Sequence, residues 1–126
     1  MAPGLLLALT VGRFGCLLGG CCAGRPTCSR WGIWSSNRRL GVRRVPVQLL
    51  EASFAGVLGA LALAAVLLFG ASAGGLVFVA GIAAYTAGRQ LLFPLRDIPR
   101  ATTHGPKLML GAGSAAALAA LVLLLR

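Results

Sequence analysis

The sequence predicts an all-α, polytopic membrane protein with about four transmembrane helices and one basic interfacial loop. Three observations predict it. Hydrophobic residues make up 58% of the 126 and charged residues only 11%. Residues 52–88 contain no charge, nor do residues 108–125, and uncharged runs of about 18 residues or more can cross a hydrocarbon core of roughly 30 Å at about 1.5 Å per residue. Twelve Lys and Arg, opposed only by Glu51 and Asp97, give a formal net charge of +10 and cluster in the connections between the apolar runs. In a water-soluble chain that balance would suggest nucleic acid; between membrane helices it points to anionic membrane lipid, and no nucleic-acid partner is expected.

The whole chain, 1–126, reads as one membrane domain. Its first helix is expected at about 3–23, closed by Gly24-Arg25-Pro26, because proline disfavours helix in the residue before it. A signal peptide is the weaker account of this start, since Met1-Ala2-Pro3-Gly4 lacks a basic leader and the apolar run continues past Arg13. Arg13 is expensive there: a cation at a helix centre costs roughly 3 kcal/mol on insertion scales, so it should have a partner. Gly15 and Gly19, then Gly20 and Gly24, stand four apart, and a helix through them would offer a side-chain-free groove to another backbone or a lipid headgroup.

Residues 24–46 form the basic loop, with Arg25, Arg30, Arg38, Arg39, Arg43 and Arg44 beside Trp31 and Trp34. Tryptophan favours the headgroup level, which places the loop on the membrane surface. Pro46 opens a second helix, 47–69, where a missing N–H is harmless. Gln48 and Glu51, three apart, share a helix face near the membrane boundary, and Gly56 with Ala60 makes a small-residue packing face. Glu51 is the sole carboxylate in the first 96 residues. It is the natural counter-charge for Arg13 or Arg89, the alternative being an exposed interfacial carboxylate. After a short turn at 70–75, a third helix, 76–93, stacks Tyr85 and Arg89 on one face until Pro94 ends or kinks it. A polar connection, 97–107, leads to a last helix at 108–125.

Arg13 and Arg89 sit one to two turns inside apolar helices. Were they to meet, they would form a cationic pocket for a lipid phosphate, because guanidinium presents a planar fork of donors that stays charged. The bland alternative is that each snorkels to the interface or caps backbone carbonyls. The four cysteines, Cys16, Cys21, Cys22 and Cys28, match no zinc spacing. They read as small packed residues or as a disulfide involving Cys28, with a thiol or metal centre least favoured; no metal site and no cofactor are expected.

The stretch from Gly12 to Thr27 resembles the signature of the bacterial prolipoprotein diacylglyceryl transferases, G-R-x-G-N-F-x-N-G-E-x-x-G-R-P-T. Gly12, Arg13, Gly15, Gly20, Gly24, Arg25 and the Pro26-Thr27 pair stand at family positions, whereas Cys16, Gly19 and Cys21 replace two Asn and a Glu. Trp31-Gly32-Ile33 is similar to the W-G-V that follows. Val45-Pro46-Val47-Gln48-Leu49-Leu50-Glu51-Ala52 resembles H-P-x-Q-L-Y-E-A, and Tyr85, Arg89 and Arg96 fall at the spacing of Y-x-x-x-R-F-x-x-E-F-x-R, with Phe93 in place of its glutamate. Thr103-His104-Gly105 faintly resembles a T-M-G before the final span.

The resemblance implies transfer of the diacylglyceryl group of phosphatidylglycerol to the lipobox cysteine thiol of a prolipoprotein, whose signal peptide would be a partner, in the bacterial inner membrane. It implies catalytic roles for Arg13 and Arg89, and substrate binding by Gly15, Gly20, Gly24, Arg25, Gln48, Glu51, Tyr85 and Arg96. The family's histidine lies upstream of its signature, so the chain reads either as the C-terminal part of a longer enzyme or as a shortened relative with altered or absent activity. A phospholipid-binding protein without catalysis is the alternative. The resemblance puts the signature at the outer face, while six arginines in 24–46 argue for the inner one.

Overall fold

The computed structural model describes residues 1–37, 39, 41–97 and 105–125. Four helices carry the fold: α1 (Ala2–Leu18), α2 (Val47–Phe69), α3 (Gly74–Leu92) and α4 (Gly105–Leu125). Helices α2, α3 with its short extension to Leu95, and α4 are each long and apolar enough to cross a membrane; α1 is apolar but has only 17 residues. The architecture is that of a polytopic all-α membrane protein, with most large apolar side chains facing outward. Arg38, His104 and Arg126 lie outside the described residues.

The first helix ends at Leu18 rather than near residue 23. Gly19 caps it by donating to the Gly15 carbonyl, and Gly20 turns the chain out of the helix at φ 67°. Gly20 and Gly24 therefore do not line a helical groove. A methyl group on Gly20 would come within 2.5 Å of the Asn37 amide nitrogen, and one on Gly24 within 2.5 Å of the Val45 carbonyl oxygen and 2.9 Å of that of Leu95. Both glycines let strands of loop pass at backbone contact.

That contact organises the basic loop. Gly24 N–H donates to Val45 O (3.2 Å), Arg25 N–H to Leu95 O (2.9 Å) and Val45 N–H to Arg25 O (3.1 Å). The segment after α1 is thus laced between the lead-in to α2 and the exit from α3. A two-residue antiparallel ladder, β1 (Ile33–Trp34) with β2 (Arg43–Arg44), lies within the loop. Trp31 and Trp34 are exposed, as an interfacial position requires. Arg43 donates to the carbonyls of Gly32 and Arg30, so part of the loop's charge serves its own backbone.

Helices α1 and α2 run antiparallel. Arg13 meets Glu51, Gly56 faces Thr10, and a methyl on Gly59 would come within 3.1 Å of Leu7. The small-residue face of α2 is Ala52, Ala55, Gly59 and Ala62, all buried, while Ala60 is exposed. The expected Gly56–Ala60 stripe is rotated by part of a turn because Leu6 and Leu7 of α1 seat on Gly59. Small residues matter here since lipid supplies no hydrophobic drive to bring helices together and close packing must do it. Helix α3 joins through Gly81, against Leu6, and through Gly88, which leaves room for the Phe54 ring; Phe54 stacks on Tyr85 with centroids 6.5 Å apart. The fourth helix packs along α3, starts at Gly105 and leans on Ala83 and Ala87 through Gly113.

Helix α2 fills 47–69 as expected, with Pro46 as its N-cap. Both ends of α3 and the start of α4 shift by one to three residues. Residues Ala71–Ala73 wind into a 3-10 turn that feeds directly into α3 at Gly74. Pro94 cannot continue the α-helix, and Phe93–Leu95 closes as a 3-10 turn.

Candidate functional site

The C-terminal halves of α1 and α3 and the first turns of α2 come together at one end of the bundle, where Arg13, Glu51, Tyr85 and Arg89 collect. Glu51, 1% exposed, is at the centre. The Arg96 guanidinium donates through Nη2 to both its oxygens, at 2.5 and 2.6 Å. Arg13 Nε lies 3.0 Å from Oε2, and Arg89 Nε lies 4.0 Å from Oε1. Arg13 also reaches the buried Tyr85 hydroxyl, donating through Nη2 at 3.5 Å.

Each partner arrives by a local cause. Glu51 sits one turn into α2, on the same face as Gln48, and Gln48 Nε2 donates to the Cys21 carbonyl at 2.7 Å, which fixes the chain leaving α1 against α2. Tyr85 and Arg89 project from one face of α3. Arg96 enters from the extended residue after the 3-10 turn, held by an isolated antiparallel bridge to Gly24 and by Arg25 Nε donating to its carbonyl at 3.3 Å. Arg44 seals the outside by donating to Gly24 O at 3.1 Å and to Asp97 Oδ2 at 2.8 Å.

The electrostatics are lopsided. Three guanidinium groups share one carboxylate, leaving two positive charges in excess. A charge removed from water is costly unless paired and hydrogen-bonded. Glu51 satisfies Arg96 and Arg13, both nearly buried, but holds Arg89 loosely; that side chain is 46% exposed. Arg96 Nε is buried and has no hydrogen-bond partner among the described residues. The cluster carries excess positive charge, with Arg96, Glu51 and Arg13 drawn inward and Arg89 at its exposed edge.

Of the residues singled out in the sequence, Arg13, Gln48, Glu51, Tyr85, Arg89 and Arg96 are brought together. Arg25 lies on the loop and touches the cluster through the Arg96 backbone. Gly15 faces open space on α1, whereas Gly20 and Gly24 pack within the loop. The resemblance implied a substrate-binding role for Arg96 and did not pair it with Glu51; among the described residues it is the tightest partner of that carboxylate. Its nearest signal was proximity to Pro94, since a chain forced out of α3 there can turn back over the helix end.

An apolar groove of about 390 Å³ opens between α2, α3 and α4, lined among others by Leu58, Ala62, Gly81, Ala84 and Leu121. Its near end, at Leu58 and Ala84, is about 10 Å along α2 from Glu51 and about 8 Å along α3 from Arg89, at roughly 1.5 Å per residue. A second cluster lies apart from the arginines. The sulfur atoms of Cys16, Cys21 and Cys22 lie within 4.8 Å of one another, a grouping the spacing of the four cysteines did not suggest. The Cys21 thiol is pushed up from its ordinary value, chiefly by its hydrogen bond with the Cys16 side chain.

A family model described as prolipoprotein diacylglyceryl transferase matches residues 1–126. No curated protein and no solved structure matches the chain.

Proposed function

The chain belongs to the prolipoprotein diacylglyceryl transferase family, and from that premise we propose that it moves the diacylglyceryl group of phosphatidylglycerol onto the lipobox cysteine of a prolipoprotein in the bacterial inner membrane. The observation that carries this reading is the arginine excess around Glu51. A phosphodiester supplies the missing negative charge and the paired oxygens that guanidinium groups accept best. The exposed Arg89 engages the phosphate first, and Arg13 and the spare Nε of Arg96 line the pocket behind it.

In the reaction the acceptor thiol gives its proton to water, and the thiolate attacks the carbon of the diacylglyceryl moiety that bears the phosphate. A C–S bond forms as that C–O bond breaks, and the electron pair leaves on the phosphate oxygen of glycerol phosphate. Charge grows on this leaving group in the transition state, so arginines fixed beforehand stabilise it more than they stabilise the bound lipid. The groove between α2, α3 and α4 is aligned for an acyl chain while the headgroup sits at the arginines. Gly15, Gly20, Gly24, Arg25, Gln48 and Tyr85 act in this reading by shaping and supporting the pocket.

A second reading rests on a specific observation. Both oxygens of Glu51 are engaged by arginines, which leaves that carboxylate poorly placed to take a proton from a thiol. On this reading the same pocket binds anionic phospholipid without turnover. The two are separated by supplying the chain alone to a transferase-depleted bacterium, and by incubating purified protein with phosphatidylglycerol vesicles and a lipobox peptide. Restored growth and a diacylglyceryl mass gain on the peptide support transfer; lipid binding with neither supports the second reading.

A further inference from the structure

The three clustered thiols are built rather than incidental. Cys16 occupies the last full turn of α1. The chain then leaves the helix through Gly20 at φ 67° and Cys22 at φ 57°, a left-handed conformation that is uncommon outside glycine. This reversal carries Cys21 and Cys22 back over the helix end, where the Cys21 amide and thiol both donate to the Cys16 carbonyl, at 3.1 and 3.7 Å. Two other elements pin the reversal. Gln48 donates to the Cys21 carbonyl at 2.7 Å, and Ser36 Oγ donates to the Leu17 carbonyl at 2.8 Å. Cys28 is not part of the cluster.

We propose that Cys16, Cys21 and Cys22 form a three-thiolate site for a thiophilic d10 metal ion, zinc in the first instance, with a fourth position open to an external thiol. Three thiolates are soft ligands that favour zinc or copper(I) over harder cations. With Zn–S bonds of about 2.3 Å, tetrahedral geometry wants sulfurs roughly 3.8 Å apart, so the present spacing, within 4.8 Å, closes by rotation of exposed side chains. Cys21 and Cys22 are exposed and leave one side of the site uncovered.

Charge points the same way. A dipositive ion with three thiolates carries one net negative charge, and it would form one helical turn from Arg13, beside a cluster holding two uncompensated positive charges. A thiol entering the fourth position is held as thiolate, its proton passing to water. That last role rests on the transferase reading; the metal site does not. It would supply the acceptor activation that Glu51, already tied to two arginines, is badly placed to give.

The test uses the full chain purified in detergent under reducing conditions. Zinc is quantified per protein, and cobalt(II) is added as a spectroscopic probe. One zinc per chain and a thiolate-to-cobalt charge-transfer band are expected, with affinity falling at least tenfold in C16S, C21S and C22S but not in C28S. No band, or an equal loss in C28S, overturns the site. So does a disulfide joining any two of the three cysteines in protein whose thiols were blocked at cell lysis. Adding a lipobox peptide to the cobalt-loaded protein should shift the band, and the Cys→Ser version of the peptide should not. An unmoved band overturns the open position. Metal binding and a peptide shift without diacylglyceryl transfer would instead count against the transferase reading alone.

Discussion

Arg96 and Glu51, 45 residues apart in the chain, form a two-point ion pair buried at one end of the helical bundle, with both carboxylate oxygens held by a single guanidinium nitrogen. The pair joins the first turns of α2 to the segment that leaves α3. Because Arg13 of α1 shares the same carboxylate, one acidic side chain ties three elements together.

Glu51→Gln should therefore be the most damaging single substitution in the cluster. Removing one partner of a buried pair costs about 3–5 kcal/mol, because the charge left behind stays desolvated. Thermal unfolding in detergent should show a large fall in melting temperature. Asp97→Asn breaks the exposed pair with Arg44 and should cost no more than about 1 kcal/mol. Equal melting temperatures for the two variants would remove Glu51 from the centre of the fold.

Arg89 and Arg13 should separate binding from stability. Arg89 is half-exposed and 4.0 Å from its counter-charge, so Arg89→Ala should leave the melting temperature nearly unchanged. A charged hydrogen bond contributes about 1.5–3 kcal/mol, so the same variant should lose roughly 10–100-fold in affinity for phosphatidylglycerol over phosphatidylcholine. Arg13→Ala should lose both lipid affinity and stability. Lipid binding measured by native mass spectrometry gives one arm and unfolding the other; unaltered headgroup selectivity in Arg89→Ala would contradict phosphate contact at that exposed edge.

Gly24→Ala should destabilise by about 1–3 kcal/mol, because its methyl meets two backbone carbonyls that cannot rotate away. Gly12→Ala, whose methyl meets nothing within 4 Å, should be neutral or slightly stabilising through helix propensity. Unfolding curves of the pair check both statements. A neutral Gly24→Ala would mean that the loop can move off the α3 exit without loss.

Ala84→Phe should obstruct the apolar groove near its charged end. The expected result is weaker binding of long-chain phosphatidylglycerol, with short-chain lipid affected less and the melting temperature close to the parent's. Chain-length profiles for the two proteins that superimpose would detach the groove from the lipid.

The helices were legible because apolar runs without charge leave few alternatives, and Arg13, Arg89 and Glu51 stood out because each is costly where it lies. Their meeting could be anticipated from charge shortage alone. Arg96 could not be ranked that way, since its depth depends on the 3-10 turn at Phe93–Leu95 and on backbone contact with Gly24. The helical reading of 19–23 failed because helix propensity and hydrophobicity do not register a backbone reversal, which Gly20 and Cys22 make through left-handed φ. The same reversal gathers the thiols, and so the cysteine spacing alone gave no sign of them. The left-handed conformation of a non-glycine residue is visible only in three dimensions.

The lacing of the first connection has a consequence for motion. Gly24 and Arg25 bond through their backbones to Val45 and Leu95, so the exit of α1 cannot shift without dragging the entry of α2 and the exit of α3 with it. Any displacement that spreads the arginines around Glu51 must therefore carry three helix ends together as one unit.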